Sequence, residues 1–417
     1  MTYRSRIADT ELRAALASAG AVLIEGVKAC GKTETARQVA MSEVLLDVDE
    51  QARLAASLSP EVVLAGDEPR LIDEWQRETR IWDHVRRAVD DRGGPGHFIL
   101  TGSSRPQDDN TRHVGAGRFV RLLMRPMTLA EMGYSSGDIS LQDIMTGAAP
   151  SAADTGMTVA RIAELVCTGG WPNLLEATPT EVQRLLRSYV GEVARVEVRR
   201  LDNIRRDPRA VARLLRSLAR TVGNPATIKS LARDMNGTDG EADRDTVRAY
   251  LDALARLHVT EDMPAWSPTL QSNVRLRTSE VRYFVDPSLA VASLRADPAR
   301  LRRDWRWFGF LFENMVIRDL RVYAQSFDAQ VFAYRDETGL EADAIVEFPD
   351  GRWGAFEVKL GTSEQIEEAA RNLLRVRDRV NTSIAGEPAV LGVITPSGYG
   401  YTRPDGVSLV PFGALAP

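Results

Sequence analysis

Three groups of residues carry side chains whose types and spacing could do chemistry. The first is Gly26-Val27-Lys28-Ala29-Cys30-Gly31-Lys32-Thr33, a complete G-x-x-x-x-G-K-[ST] phosphate loop continued by Glu34. Its glycines let the backbone wrap a phosphate, and its N–H groups and the following helix N-terminus supply positive partial charge. Lys32 is expected to reach the β- and γ-phosphates of ATP, and the Thr33 hydroxyl to hold Mg2+. The second group is Asp73-Glu74, with Ser103 and Ser104 further on. A carboxylate at a strand tip beside the loop can hold Mg2+ through water, and the next one can orient or deprotonate the attacking water. Ser103 or Ser104 could contact the γ-phosphate. The third group is Glu313, Asp343, Glu357 and Lys359. Glu357 and Lys359, two apart in a strand, share a face, and Asp343 on the partner strand can meet them. Two such carboxylates can bind Mg2+, with Glu313 adding an oxygen, and Lys359 would orient water or stabilise charge at phosphorus.

Each group has a plainer alternative: a glycine turn, a solvated acidic pair, and a hairpin with a paired Glu and Lys. The elements around them argue for the chemical reading. The apolar run Ala21-Val22-Leu23-Ile24 reads as a buried strand before the loop, and Thr33-Glu34-Thr35-Ala36-Arg37 opens a helix after it. That strand–loop–helix context is what the phosphate loop requires. Further strands are expected at 44–48, ending at 73, at 97–104 and at 118–125, alternating with helices. The alternation predicts a parallel sheet with its ligand at the strand C-terminal ends. Arg105, Arg112 and Arg118 are candidates for a charge-stabilising arginine.

Composition supports a further point. Of 53 basic residues only Lys28, Lys32, Lys229 and Lys359 are lysines. In so arginine-biased a chain, Lys32 and Lys359 are candidates for places where a compact ammonium serves and a guanidinium does not, whereas Lys28 and Lys229 read as chance survivors. The 417 residues suggest two or three domains, and 44% hydrophobic content gives ample core. The net charge of −5 does not identify a partner. Two cysteines, one inside the phosphate loop, indicate a reducing, cytoplasmic setting. No apolar run reaches the ~18 residues of a membrane span.

The middle of the chain is less explicit. Residues 133–156, rich in Ser, Gly, Ala and Asp, read as a loop without chemistry. Between 184 and 220, eleven arginines face four acids. That excess could bind a nucleic-acid backbone, or be a solvated helix face. Helical patterns at 211–222, 225–235 and 245–257, then a hairpin, read as a winged helix. Its long acidic turn at 236–244 is unlike the short turn of a groove reader.

Taken together, Gly26 to Thr33, Leu71-Ile72-Asp73-Glu74-Trp75-Gln76, Leu100-Thr101-Gly102-Ser103-Ser104 and Pro126-Met127-Thr128-Leu129-Ala130-Glu131-Met132 resemble a family of prokaryotic AAA+-type ATPases. That family ends in a domain of uncharacterised function related to PD-(D/E)XK nucleases, whose metal and lysine positions correspond to Asp343, Glu357 and Lys359. The resemblance implies an α/β P-loop core over 1–132 with strand order 5-1-4-3-2. It further implies a linker and helical lid over 133–190, a winged-helix-like domain over 191–298, and a restriction-endonuclease-like α/β domain over 299–417. ATP turnover with Mg2+, binding of ATP and ADP, action at DNA and assembly of like subunits follow as expectations. A nucleotide-dependent switch, or a defence component, whose last domain only binds is the alternative.

Overall fold

The computed structural model describes residues 2–103, 115–198, 207–224, 226–236, 242–269 and 280–417. Arg199, Arg200, Arg205 and Arg206 of the arginine-rich stretch, and most of the turn at 236–244, lie outside the described residues.

The first sheet forms as its sequence dictates. The strands β1 (Ala21–Gly26), β2 (Ser42–Leu45), β3 (Arg70–Asp73), β4 (Phe98–Gly102) and β5 (Phe119–Met124) are joined in the order β2-β3-β4-β1-β5. All pairs are parallel, and the order is the expected one. Central β1 and β4 are buried at every residue, which is why they read as continuous apolar runs. The helices α1 (Ile7–Ser18), α2 (Lys32–Arg37), α3 (Glu50–Leu58), α4 (Pro60–Leu64) and α5 (Ile81–Arg92) fill the connections.

Residues 133–156 depart from expectation. They contain β6 (Ile139–Ser140), paired in parallel with Leu415–Ala416 at the far end of the chain, and α6 (Leu141–Met145). Leu141, Ile144 and Met145 are buried, and the segment bonds again to the last domain through Ala152 and Gly400. It is a strap across the C-terminal sheet. Its polar composition hid a short apolar set whose partners are some 270 positions away.

A helical layer follows: α7 (Val159–Thr168), α8 (Pro179–Glu192) and, after a π-turn at Val193–Glu197, α9 (Pro208–Arg220). On α9 the apolar Val211, Leu214, Leu215 and Leu218 are buried, while Arg209, Arg216 and Arg220 face out. Then come α10 (Ile228–Asn236), α11 (Arg244–Arg256), the antiparallel pair β7 (Thr260–Met263) and β8 (Val281–Phe284), α12 (Pro287–Leu294) and α13 (Pro298–Arg303). The expected boundary at 190–191 falls inside α8. A continuous helix gives no place for a domain break there, and α12 packs on α7, α8 and α9 together.

The 21-residue α14 (Trp305–Gln325) leads into β9 (Gln330–Arg335), β10 (Glu341–Glu347) and β11 (Trp353–Val358). Then follow α15 (Ser363–Arg379), β12 (Val390–Thr395), β13 (Tyr401–Thr402), β14 (Ser408–Pro411) and β15 (Leu415–Ala416). The second sheet runs β13-β14-β12-β11-β10-β9, with β11, β12 and β14 parallel.

One contiguous apolar core joins these parts, reaching from Leu12 through Leu214 and Leu289 to Phe312 and Phe412. Polar bridges cross it. Arg318 of α14, 1% exposed at its side chain, donates to Asp286 and Asp319, each 2.7 Å away. Asp319 accepts from the Leu129 N–H at 2.7 Å, and Asp286 from the Gly170 N–H at 3.0 Å. Arg125 beside β5 donates to both oxygens of Glu261 on β7, at 2.8 and 2.6 Å.

Burial raises the Glu261 carboxyl, but Arg125 and Arg321 outweigh it and hold the group down from 4.5 to about 2. A depressed carboxyl stabilises the fold above its unfolded pKa, and that share is lost as pH falls from about 4.5 towards 2. Its side chain keeps 24% exposure, so solvent weakens the pair. Glu261→Gln is expected to be less stable at neutral pH and to lose less further stability through that acid window, read by urea denaturation at stepped pH. An acid limb as steep as that of the parent protein would contradict the assignment.

Candidate functional site

The phosphate loop leaves β1 at Gly26, where φ is 151° and an added Cβ would lie 2.1 Å from the Met124 carbonyl oxygen. Only glycine permits that approach. Gly31, at φ 105°, turns the chain into α2. Val27 and Cys30 are fully buried and anchor the loop, whereas Lys28 and Ala29 are exposed. Lys32 is 6% exposed, and its ammonium donates to the carbonyls of Gly26 and Val27 at 2.9 and 3.0 Å. Exposed Glu34 pairs with Arg37 at 2.7 Å and lines the pocket mouth.

At the foot of the loop the Thr33 hydroxyl donates to Asp73 Oδ1 at 2.9 Å, and the Thr101 hydroxyl donates to the same oxygen. Asp73 pairs with Thr101 in the β3–β4 register. Thr101 lies in the 100–104 run, but only its place in the strand beside Asp73 gives it this role. Glu74 is held at φ 54°, in the left-handed region, and accepts from the Gln76 side-chain amide at 2.6 Å. Burial lifts its carboxyl above the usual range and Asp73 adds to the rise, against an opposing pull from Lys32. Ser103 is buried at the end of β4. Ser104, Arg105 and Arg112 lie outside the described residues. Arg118 is ion-paired with Asp90 at 2.8 Å.

A cavity of about 880 Å3 opens over the loop. Its floor is Lys28 to Thr35 with Glu74; one wall is the N-terminal segment with Tyr3, Arg4 and Arg6, and the other is Pro172, Asn173 and Leu175. Arg6 belongs to this site although sequence reasoning passed it over, because its acceptors are mostly backbone. It donates to the Cys30 carbonyl at 2.8 Å, the Arg125 carbonyl at 2.8 Å and Glu131 at 3.0 Å. Thr33 and Asp73 offer hard oxygens side by side, which suits Mg2+.

The second group also comes together. β10 is irregular between Ala342 and Ile345, and such a bulge re-aims a side chain. Asp343 accepts from the Val358 N–H at 2.7 Å and from Lys359 at 3.3 Å. Lys359 also pairs with Glu357, whose other oxygen accepts from Asn372 at 2.6 Å. Glu313 reaches in from α14 and accepts from the Tyr283 hydroxyl at 2.5 Å. Burial and Asp343 hold the carboxyls of Glu313 and Glu357 well above the usual range. Burial opposes the charge on Lys359, but Asp343 and Glu357 more than restore it. Two carboxyl groups thus contact one ammonium, and Glu313 acts on it through space. Among the described residues no three Asp, Glu, His or Cys side chains are arranged to hold a metal ion, and here the Lys359 ammonium engages both Asp343 and Glu357.

Residues 18–133 match the model of an AAA domain. Residues 159–300 and 308–415 match two domains of unknown function, DUF8612 and DUF4143. Uncharacterized proteins of Mycobacterium tuberculosis and Mycobacterium bovis are each 25% identical to the chain over 421 residues, covering 99% of it and 84% of their own length. A solved Walker-type ATPase of Pyrococcus abyssi aligns with 69% of the chain and 94% of its own, at 14% identity and a TM-score of 0.42. The N-terminal third is an AAA-type ATPase domain. Among the described residues no helix is long and apolar enough to cross a membrane.

Arg6 and Glu131 are 4% and 3% exposed at their side chains. Removing one partner of a buried pair leaves the other charge uncompensated, at about 3–5 kcal/mol. Arg6→Ala should lose stability on that scale in denaturant unfolding and weaken nucleotide binding. An unchanged unfolding midpoint would show that Arg6 does not hold the loop.

Proposed function

We propose that the protein is a Mg2+-dependent ATPase whose C-terminal domain is a PD-(D/E)XK nuclease-like module acting on nucleic acid. The observation that carries the ATPase half is the convergence of Lys32, Thr33 and Glu74 on one cavity of nucleotide size, with Asp73 hydrogen-bonded to Thr33 behind them. Lys32 leaves the Gly26 and Val27 carbonyls for the β- and γ-phosphates, and loop N–H groups take the remaining charge. Thr33 and Asp73 would hold Mg2+, which would supply positive charge against the triphosphate. Glu74, with its raised pKa, takes the proton of the attacking water, and Gln76 sets its orientation. Ser103, just after β4, would report on the γ-phosphate.

The nuclease-like half rests on the order α14-β9-β10-β11-α15-β12 and on the grouping of Asp343, Glu357, Lys359 and Glu313. Asp343 and Glu357 would hold a divalent cation, with Glu313 contributing, and Lys359 would orient water at the phosphorus. The helical order α9-α10-α11 followed by β7 and β8 supports a winged-helix reading. The outward face of α11, however, alternates Arg244, Asp245, Arg248 and Asp252, with Arg248 paired to Asp245 at 2.8 Å. That face is not a cationic reading surface. A second reading, a nucleotide-dependent switch whose last domain binds without cutting, is favoured by the engagement of both Asp343 and Glu357 by Lys359.

ATP hydrolysis by wild type, Lys32→Ala and Glu74→Gln, each with and without DNA, tests the proposal. Glu74→Gln should bind ATP and turn over at least 100-fold more slowly, and Lys32→Ala should fail to bind. Nicking of DNA that disappears in Lys359→Ala and persists in Lys32→Ala supports the nuclease. Wild-type turnover by Glu74→Gln would contradict its role, and absence of nicking with any divalent cation would favour the switch.

A further inference from the structure

Glu313 and Lys359 line a cavity of about 590 Å3 whose wall is one face of α14. Trp305, Gly309 and Glu313 line it at i, i+4 and i+8, and so share a helix face. They form a graded track. Trp305 at the rim is 55% exposed, a large aromatic left in water; Glu313 at the inner end is 8% exposed, with Lys359 beside it. Gly309 between them keeps the track open, since the nearest atom to an added Cβ is 4.0 Å away. Glycine inside a helix costs about 1 kcal/mol against alanine, so the space comes at a cost in stability.

Arg306 lines the cavity beside Trp305, and Arg300, Arg302 and Arg303 precede it at the end of α13. All four are exposed, and among the described residues none of them is ion-paired with a carboxylate. The acid among them, Asp304, spends its carboxylate capping α14 at the Trp307 N–H, 3.2 Å away. Arg306 stands in the first turn of α14, which holds no acid. A cation there opposes the helix macrodipole, a placement that local stability does not explain. The far end of the cavity is the start of α15 at Thr362 and Gln365.

An exposed aromatic among unpaired arginines, leading to a site for phosphodiester chemistry, has the parts of a stacking platform with an electrostatic funnel. We propose that this track binds an unpaired nucleic-acid strand. A base stacks on Trp305, its backbone phosphate meets Arg306 with Arg302 and Arg303 extending the contact, and the next phosphodiester passes Gly309 towards Glu313 and Lys359. A base lies flat on an indole only when it is out of the duplex stack, and a carboxylate this buried is reached by a strand that can turn inward. This rests on reading Glu313, Asp343, Glu357 and Lys359 as a phosphodiester site.

The test is fluorescence anisotropy of the full chain with labelled oligothymidylate, oligouridylate and a blunt DNA duplex of equal length. Calcium replaces magnesium, and salt is varied. Either unpaired strand should bind more tightly than the duplex; a preference for one names the sugar recognised. Trp305→Ala should weaken strand binding about tenfold with an unchanged salt slope, and Trp305→Phe should restore most of it. Arg306→Ala should lower the salt slope by about one phosphate contact. Equal binding of the duplex, or wild-type behaviour of both Trp305→Ala and Arg306→Ala, overturns the proposal. Cleavage by wild type, lost in Asp343→Asn, separates the two claims. Strand binding that needs Trp305 in a protein that never cuts would refute the phosphodiester reading alone. Cleavage indifferent to Trp305 and Arg306 would refute the track alone.

Discussion

The architecture depends on a single buried guanidinium. Arg318 bridges Asp286 and Asp319, and from those two carboxylates bonds run to Gly170 and Leu129. The ATPase domain, the helical layer and α14 therefore meet at one charge-assisted knot. Taking three charges out of water is costly, and hydrogen bonds to the two carboxylates offset part of that cost. The backbone N–H groups of Leu129 and Gly170 supply two of them. Burial still lifts the Asp319 carboxyl to about 6, Arg318 recovering only part of the loss.

The same helix carries both ends of the account. Glu313 lines the distal cavity, and twelve residues later Gln325 accepts from Arg125 at 2.9 Å and donates to the Leu123 carbonyl at 3.1 Å beside β5. At about 1.5 Å per residue the span is ~18 Å, bridged by one helix buried along most of its length. The two sites differ electrostatically. The phosphate loop presents N–H groups and an ammonium parked on carbonyls, so an anion is favoured. The distal group instead holds Asp343 and Glu357 against the Lys359 ammonium, with Glu313 buried nearby.

Local signals were legible in the sequence. The phosphate loop announces itself because its glycines and lysine act within eight residues, and the sheet order follows from a resemblance that the strands obey. Glu357 and Lys359 were readable from the two-residue period of a strand, and Asp343 from the neighbouring strand. What escaped notice acts at long range or through the backbone. Ile139 and Met145 bury against the opposite end of the chain. Arg6 meets two carbonyls that no side-chain pattern reveals, and Thr101 matters only through the strand beside it. The arginine bias drew attention to 184–220 and away from the shorter run ending at Arg306. The distinguishing feature there, an exposed tryptophan over a cavity, exists only in three dimensions.

Calorimetric titration of ATP with magnesium into the wild-type chain and into Lys32→Ala tests the central claim most directly. The account predicts one saturable site in the wild type and none in Lys32→Ala. No binding by the wild type, or equal affinity in the two proteins, would contradict it.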